Sequence, residues 1–175
     1  MTEEELNLLI IAYGRHLYSF CCNLTGNKSE AEDLYQDTLL KAVELRHKLD
    51  SSGNPKSFLM GIAVKIWQNH KKKYAVRQKI VQFEELKEEL LQYKDGTSLQ
   101  PEEKAIRKET INTVRREVKR LPEKLQTIIY LYYTAEMSVE DIGRVLHIPK
   151  GTVKSRLYKG RILLKELLEV HYYGS

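Results

Sequence analysis

The side chains best suited to chemistry in this chain are cations, and the densest group of them lies near the C-terminal end. Residues 150–165 include six Lys and Arg and no Asp or Glu. On a helix, a spacing of about 100° per residue brings Val153, Leu157 and Gly160 onto one face, which must pack inward. The remaining surface is then cationic. A helix that is apolar inside and basic outside favours a polyanion such as nucleic acid.

The residues just before this segment predict a shorter helix and a tight turn. Ser138 is a good N-cap, and Asp141 three residues later completes a capping box. Three apolar residues form the inner stripe of this helix: Ile142, Val145 and Leu146. Ile148 and Pro149 interrupt the pattern, and Pro149 suits the first position of the helix that follows. The two helices together predict a helix-turn-helix, whose second helix normally enters the DNA major groove.

A second cationic surface is predicted in the first half of the chain. Residues 60–80 hold six Lys and Arg and no acid, and a helix is predicted over 56–74, after a polar loop at 48–55. Its inward positions are Leu59, Ile62, Ala63, Ile66, His70 and Tyr74. Its outward positions are Gly61, Lys65, Gln68 and Lys72, flanked by Val64 and Lys71. Trp67 lies at the edge of the inner face, where it either packs in the core or offers a platform for an unpaired base.

The helix predicted over 29–45 carries an acidic face. Ser29 and Glu32 form a capping box at its start. Its inner stripe consists of Ala31, Leu34, Thr38, Ala42 and Leu45. Its opposite side brings together Asp33, Gln36, Asp37, Leu40 and Glu44. A leucine surrounded by acids is either a docking surface with an apolar anchor or a solvated face with one exposed leucine.

The remaining segments complete an all-α prediction. Thr2 and Glu5 form a capping box at the start of a first helix, which Gly26 ends. Residues 81–103 carry seven Asp and Glu against two Lys and are punctuated like an interdomain linker. Helical spacing returns from Pro101. Two further helices are lined first by Ile106, Ile111, Val114 and Val118, and then by Leu125, Ile128, Ile129, Tyr132 and Tyr133.

Composition restricts the class of function. The chain has 175 residues, of which 30% are charged and 42% hydrophobic, and a formal net charge of +5. We expect a soluble protein without a signal peptide, because no apolar run could span a bilayer and the N-terminus begins acidic. Cys21 and Cys22 are neighbours on a helix, where a disulfide would be strained, so we expect reduced thiols. No spacing indicates a metal site, a phosphate-binding loop or a nucleophile, so we expect no metal, no cofactor, no catalytic residue and no enzyme activity.

Three segments resemble conserved regions of the bacterial sigma-70 family, in the family's order. Leu-Pro-Glu at 121–123, Met-Ser-Val-Glu-Asp-Ile-Gly at 137–143 and Gly-Thr-Val-Lys-Ser-Arg-Leu-Tyr-Lys-Gly-Arg at 151–161 resemble its fourth region. Residues 31–42 resemble the polymerase-binding segment of its second region, and residues 54–63 resemble the loop and helix that follow. With no other region present, the chain is most similar to the extracytoplasmic-function (ECF) group of sigma factors.

The resemblance implies two small helical domains joined by a flexible linker. A region 2-like domain would cover 1–80, an acidic linker 81–104, and a region 4-like domain 105–175. The acidic face would bind the clamp of core RNA polymerase through Asp33, Gln36, Asp37 and Leu40. The loop and the outer side of the third helix would bind the melted −10 promoter element through Ser51, Ser52, Asn54, Lys56, Lys65, Gln68, Asn69 and Lys72. The family often has Asn where Lys65 stands, so its −10 sequence preference is not transferred to this chain.

The same resemblance assigns the −35 element to the helix-turn-helix. The residues concerned are Lys150, Thr152, Lys154, Ser155, Arg156, Tyr158, Lys159 and Arg161. Within this set, the residues expected to reach base edges are Lys154, Ser155, Tyr158 and Lys159. Those expected to hold phosphates are Lys150, Arg156 and Arg161.

The implied partners are core RNA polymerase, through its clamp and flap, promoter DNA, and an anti-sigma factor. The free chain is expected to be a monomer in the bacterial cytoplasm, without direct membrane insertion, although an anti-sigma factor could hold it near the membrane. The alternative is a helix-turn-helix transcriptional regulator with an N-terminal helical sensor domain. A sensor would call for an apolar ligand cavity, whereas a sigma factor calls for the acidic face and the basic third helix.

Overall fold

A computed structural model of the chain describes residues 1–48, 53–77 and 100–174, with the side chains of 73–77 excepted. These residues form seven α-helices and no strand, which confirms the all-α prediction. The elements in chain order are α1 (Glu3–Thr25), α2 (Lys28–Leu45), a 3-10 turn (Arg46–Lys48), α3 (Pro55–Arg77), α4 (Pro101–Lys119), α5 (Glu123–Ile129), a π-helical turn (Tyr130–Thr134), α6 (Val139–Leu146) and α7 (Lys150–Tyr173). Within the described ranges, no helix combines the length and apolar character that a membrane crossing requires.

Local side-chain caps fix where α1 and α2 begin. The predicted capping box of α1 is confirmed, because Thr2 Oγ1 accepts from the Glu5 N–H at 3.2 Å and Glu5 Oε2 accepts from the Thr2 N–H at 2.7 Å. The predicted capping box of α2 at Ser29 is wrong. Asn27 caps this helix instead, its Oδ1 accepting from the Glu30 N–H at 3.1 Å. Gly26 ends α1 in the left-handed conformation, so Asn27 is the extended residue that can cap and Ser29 is already helical.

The first three helices pack around the predicted inner stripes. On α2 the buried residues are Ala31, Leu34, Thr38 and Ala42. On α3 the predicted Leu59, Ile62 and Ala63 are buried, and so are Met60 and Val64, which were not predicted to face inward. The predicted Ile66 and His70 are partly buried. Trp67 is partly buried against the same core, with the Lys71 ammonium 5.4 Å from its ring centroid. Cys21 and Cys22 are buried free thiols, and burial is the main cause that raises the pKa of both.

Two residues of α3 that were predicted to lie on or beside its outer side are covered. Val64 is buried, and a Cβ at Gly61 would lie 3.7 Å from a methyl group of Val145 on α6. The prediction failed because α6 packs against this side of α3. The pattern of one helix indicates that a face is available for burial but not which element will cover it.

The last four helices depart from the predicted stripes at three places. Ile106 and Ile111 are exposed, like every other residue of α4 from Pro101 to Thr110. Tyr133 is 55% exposed, whereas Tyr130 and Leu131 are buried. The reason is the π-helical turn at Tyr130–Thr134, whose wider turn shifts the phase of the side chains relative to a regular helix.

The helices before and after residues 78–99 share a hydrophobic core. One cluster of buried residues includes Leu17 and Phe20 on α1, Met60 on α3, Val118 on α4, Ile128 on α5, and Val153 and Leu157 on α7. Polar contacts join the same elements. Lys119 Nζ donates to the carbonyls of Asn23, at 2.6 Å, and Leu24, at 3.3 Å. Asn23 Nδ2 donates to Thr134 Oγ1 at 3.1 Å. The two halves therefore pack against each other rather than standing apart.

Candidate nucleic-acid interface

The helix-turn-helix has the two helices and the tight turn that its sequence predicts. Ser138 Oγ caps α6 by accepting from the Asp141 N–H at 3.1 Å. The predicted capping box is incomplete, because Asp141 Oδ2 accepts from the Ser138 hydroxyl at 2.9 Å rather than from the Ser138 N–H. His147 then takes a left-handed backbone conformation, and the Ile148 N–H donates to the Gly143 carbonyl at 3.0 Å. A Cβ at Gly143 would lie only 2.9 Å from the Ile148 oxygen, so the turn needs glycine there. Pro149 is the N-cap of α7 rather than its first residue, one position earlier than predicted.

One side of α7 is buried and the other is exposed, as predicted. Val153, Leu157 and Gly160 are buried against the preceding helices. The four residues predicted to reach base edges are all exposed: Lys154, Ser155, Tyr158 and Lys159. Thr152 and Arg156 are partly buried beside them. The structure thus presents an unobstructed polar and cationic helix face of the kind that fits a DNA groove.

Two of the cations predicted to hold phosphates have partners within the protein. Lys150 forms an ion pair with Glu140 of α6, and this hydrogen bond is the main cause that lowers the pKa of Glu140. Arg161 Nε donates to the Tyr133 hydroxyl at 2.8 Å, and its guanidinium lies 5.3 Å from the Tyr132 ring centroid. Lys150 therefore links the two helices of the motif, whereas Arg161 packs on the π-helical turn.

The residues predicted to bind the −10 element fall into two groups. The outer side of α3 presents four exposed residues: Lys65, Gln68, Asn69 and Lys72. Asn54 caps α3 by accepting from the Lys56 N–H at 3.0 Å, and its Nδ2 donates to Asp141 Oδ2 of α6 at 2.9 Å. Lys56 Nζ donates to the Glu136 carbonyl at 3.3 Å. Ser51 and Ser52, which belong to the same prediction, lie outside the described residues.

The acidic face of α2 is exposed over its whole length. Asp33, Gln36, Asp37 and Leu40 all face solvent, and the Leu40 side chain is 65% exposed. Asp37 Oδ2 lies 3.9 Å from His70 Nε2 of α3, which borders this face. An exposed apolar side chain within a charged rim has the composition of a protein-binding surface.

Sequence reasoning missed a partly buried cation on α4. Arg115 lies four residues after Ile111 and three before Val118, so it falls on the inward side of the helix. Burial is the main cause that lowers its pKa. It lines a cavity of about 900 Å³ between α1, α4 and α7. A cation placed at an inward position of the helical pattern was the signal that could have revealed it.

Two small helical domains, the second with an exposed basic helix-turn-helix, define a transcription factor that binds duplex DNA. The family models for sigma-70 region 2 and sigma-70 region 4 match residues 9–77 and 111–164. The chain is 30% identical over 164 residues to the ECF RNA polymerase sigma factor SigW of Bacillus subtilis, covering 91% of this chain and 87% of that protein. It is 25% identical to the RNA polymerase sigma-H factor of Pseudomonas aeruginosa, covering 95% of this chain and 88% of that protein.

The fold matches a solved sigma factor along almost its whole length. The sigma factor RpoE, solved in complex with the anti-sigma factor NepR from Bartonella quintana, gives a TM-score of 0.73 at 26% identity, covering 96% of each chain. The chain belongs to the ECF group of the sigma-70 family, initiation factors that direct RNA polymerase to specific promoters. Because the matches span both halves, the sigma-factor prediction is confirmed over the alternative of a regulator with an N-terminal sensor.

Proposed function

We propose that three surfaces of this sigma factor divide the work of initiation. The acidic face of α2 binds the clamp of core RNA polymerase, with Leu40 as its apolar anchor. The loop before α3 and the outer side of α3 hold the melted −10 element, and α7 reads the −35 element. The observation that carries the proposal is that α3 and α7 each expose a cationic face while α2 exposes an acidic one. In this assignment residues 1–80 form the polymerase- and −10-binding unit, 81–104 the linker and 105–175 the −35-binding unit.

The exposed side of α7 supports base recognition in the major groove. Lys154, Ser155, Tyr158 and Lys159 supply donors and an aromatic ring on one face, and such base contacts are worth about 1–3 kcal/mol each. In this proposal Arg156, which is partly buried beside them, holds a phosphate. Lys150 and Arg161 would exchange their internal partners, Glu140 and Tyr133, for phosphate oxygens when DNA binds.

The proposed role is binding rather than catalysis, in the cytoplasm of a bacterium, where core polymerase is found. The partners are the polymerase clamp and flap, promoter DNA and an anti-sigma factor. The last is supported by the similarity to RpoE, whose structure was solved with the anti-sigma factor NepR. Such a partner could also hold this chain near the membrane, and we propose that the free chain is a monomer.

Reconstituted transcription tests the proposed polymerase contact. Added to core RNA polymerase, the wild-type chain should yield transcripts from a specific set of promoters. Asp37→Arg should reduce core association at least tenfold, because it places a cation at the centre of the acidic face. Glu166→Arg, at an exposed position of α7, is the matched charge reversal and should leave core association unchanged. Tight duplex binding without any core association of the wild type would overturn the proposal.

A second substitution tests the proposed −35 reader. Lys159→Ala should weaken discrimination between promoters that differ in the −35 element by about tenfold, because it removes one base-edge contact. Lys165→Ala removes an exposed lysine one and a half turns further along α7 and should not change promoter preference. Selectivity in a competition between promoters is the measurement. If Lys159→Ala retained full selectivity, α7 would be placed wrongly on the DNA.

A further inference from the structure

A cavity lies where the two sigma regions meet. Its volume is about 900 Å³, which is within the usual range for sites that hold small organic ligands. One side is formed by α1 of the first region, and the other sides by α4, the π-helical turn and α7 of the second. Much of the lining is apolar, with Ile111 and Val114 on α4 and Leu164 and Leu168 on α7. None of these residues belongs to the surfaces assigned to polymerase or DNA.

The cavity contains cations that the protein does not neutralise. Arg115 is partly buried, and in the part of the chain that the structure describes no acid or hydrogen-bond acceptor pairs with it. Arg15, also in the lining, is likewise without an acidic partner among the described residues, but it is exposed to solvent. Arg115 loses part of its water without gaining such a partner, which costs free energy, and an anion beside it would recover that cost.

The other charged side chains of the lining are already paired. His16 Nε2 lies 3.7 Å from Glu136 Oε2, and Lys165 Nζ lies 3.7 Å from Glu169 Oε1. Arg161 donates to the Tyr133 hydroxyl, which is neutral and leaves the guanidinium charge in place. The lining therefore holds four Lys and Arg, at positions 15, 115, 161 and 165, against two Glu, at positions 136 and 169, so its net charge is positive.

A buried hydroxyl in the same wall also lacks a partner. The Tyr130 side chain is only 4% exposed, and its hydroxyl makes no hydrogen bond. Burial raises the pKa of Tyr130, while the nearby Arg115 acts in the opposite direction. The phenol is therefore a neutral donor close to an unpaired cation. His16 Nδ1 is a second buried polar atom of the lining without a partner. Unsatisfied buried groups are few in native proteins, and this cavity contains two of them, both of which a polar ligand group could satisfy.

We propose that this cavity binds a small amphipathic anion, a carboxylate with a hydrocarbon body. The carboxylate would accept from the Arg115 guanidinium and the Tyr130 hydroxyl, with Arg15 adding positive potential. The hydrocarbon body would lie between the apolar side chains of α4 and α7. Because the walls come from both regions, a bound ligand stabilises their packed arrangement. The proposal concerns the free chain and does not depend on the assignment of the polymerase and DNA surfaces.

Calorimetric titration of the full-length chain with decanoate, below its micelle concentration, tests the site. Decanoate should bind and raise the thermal unfolding midpoint. Decyltrimethylammonium has the same hydrocarbon chain with a positive headgroup and should bind at least tenfold more weakly. Equal binding of the two amphiphiles, or no saturable binding of decanoate, would overturn the proposal.

Three variants locate the headgroup. Arg115→Met keeps the length and apolar character of the side chain and should weaken decanoate binding by about tenfold or more. Lys108→Met, at an exposed position of the same helix, is the matched control and should bind like the wild type. Tyr130→Phe should weaken decanoate binding several-fold while raising the unfolding midpoint of the free protein, since it removes an unsatisfied hydroxyl. Unchanged affinity in both Arg115→Met and Tyr130→Phe would show that the anion binds elsewhere.

Discussion

At the scale of single residues, packing the two regions together partly buries the Lys119 ammonium, which costs electrostatic free energy. Its ammonium lies 5.7 Å from the Tyr130 ring centroid and donates to the Asn23 and Leu24 carbonyls. These carbonyls end α1, where no following helical turn can supply N–H partners. Burial is the main cause that lowers the pKa of Lys119 to about 8, and Lys71 contributes in the same direction. The contact therefore gives the carbonyls at the end of α1 a hydrogen-bond donor, but it removes water from the Lys119 cation.

The shift in Lys119 predicts a specific pH dependence of stability. The native pKa lies below the unfolded value, so between about pH 8 and about pH 10 the unfolded state binds more protons and the unfolding free energy rises with pH. We expect the wild type to gain about 1 kcal/mol or more relative to Lys119→Met across this window, because methionine does not titrate. Urea unfolding at several pH values measures the difference.

The control for this prediction is another lysine of the second region. Lys124→Met removes a lysine at an exposed position of α5 and should show a difference from the wild type that is nearly independent of pH. If Lys119→Met gave the same flat difference, Lys119 would not lose its proton in the native protein within this range. The packing of its ammonium against α1 would then carry no measurable cost.

At the scale of elements, the helix-turn-helix depends on the close approach of α6 to its own turn. Gly143→Ala would bring a Cβ to 2.9 Å from the Ile148 carbonyl oxygen, a backbone atom that cannot move without opening the turn. We expect it to lower the unfolding free energy by about 1–3 kcal/mol and to weaken −35 binding. Chemical unfolding and duplex binding are the two measurements.

The matched substitution lies in the same motif. Gly151 is exposed in the first turn of α7, and a Cβ there would meet nothing within 4 Å. Gly151→Ala should be neutral or stabilise the protein by up to about 1 kcal/mol, because alanine is the better helix former. Equal stability of Gly143→Ala and Gly151→Ala would contradict the steric argument.

Sequence predicts these elements well where a local pattern determines the structure, and poorly where the backbone conformation of an adjacent turn determines it. The helix-turn-helix followed from a cap, an apolar stripe and a proline, all within twenty residues or so. The start of α2 did not follow from such a pattern, because Asn27 and Ser29 could each cap it and only the Gly26 turn selects Asn27. The exposure of Tyr133 was not predicted either, because placing residues at a constant angle around a regular helix does not allow for a π-helical turn.

At the scale of the whole molecule, the sequence predicted the two helical regions but not how they pack. Amphipathic stripes identify which face of a helix is buried without identifying what buries it. The candidate site shows the same limit. The exposed faces of α2, α3 and α7 were predicted from spacing, whereas the partners of Asn54 and Lys56 lie 87 and 80 residues away in sequence. Such contacts leave no periodic signal.

In the packed arrangement, two residues of the proposed −10 surface are engaged in hydrogen bonds within the protein. Asn54 donates to Asp141, and Lys56 donates to the Glu136 carbonyl, so both must leave these partners before they can bind DNA. If only a fraction of the molecules is open, the apparent affinity for the −10 strand is reduced by that fraction. Gly61 of α3 lies opposite Val145 of α6, which is four residues after Asp141 on the same helix. A substitution at either position can therefore shift the equilibrium between the packed and open arrangements.

We expect Val145→Arg to open the molecule, because it forces a charge into the contact between α6 and α3, where a Cβ at Gly61 would already lie 3.7 Å from a Val145 methyl group. The radius of gyration from X-ray scattering should rise, and affinity for a single-stranded −10 oligonucleotide should increase several-fold. Gly61→Leu wedges the same contact from α3 without adding charge and should act in the same direction. Val170→Arg, at an exposed position of α7, adds the same cation elsewhere and should change neither quantity. If Val145→Arg and Gly61→Leu left both the radius and the affinity unchanged, the contact between α3 and α6 would not restrict access to the −10 surface.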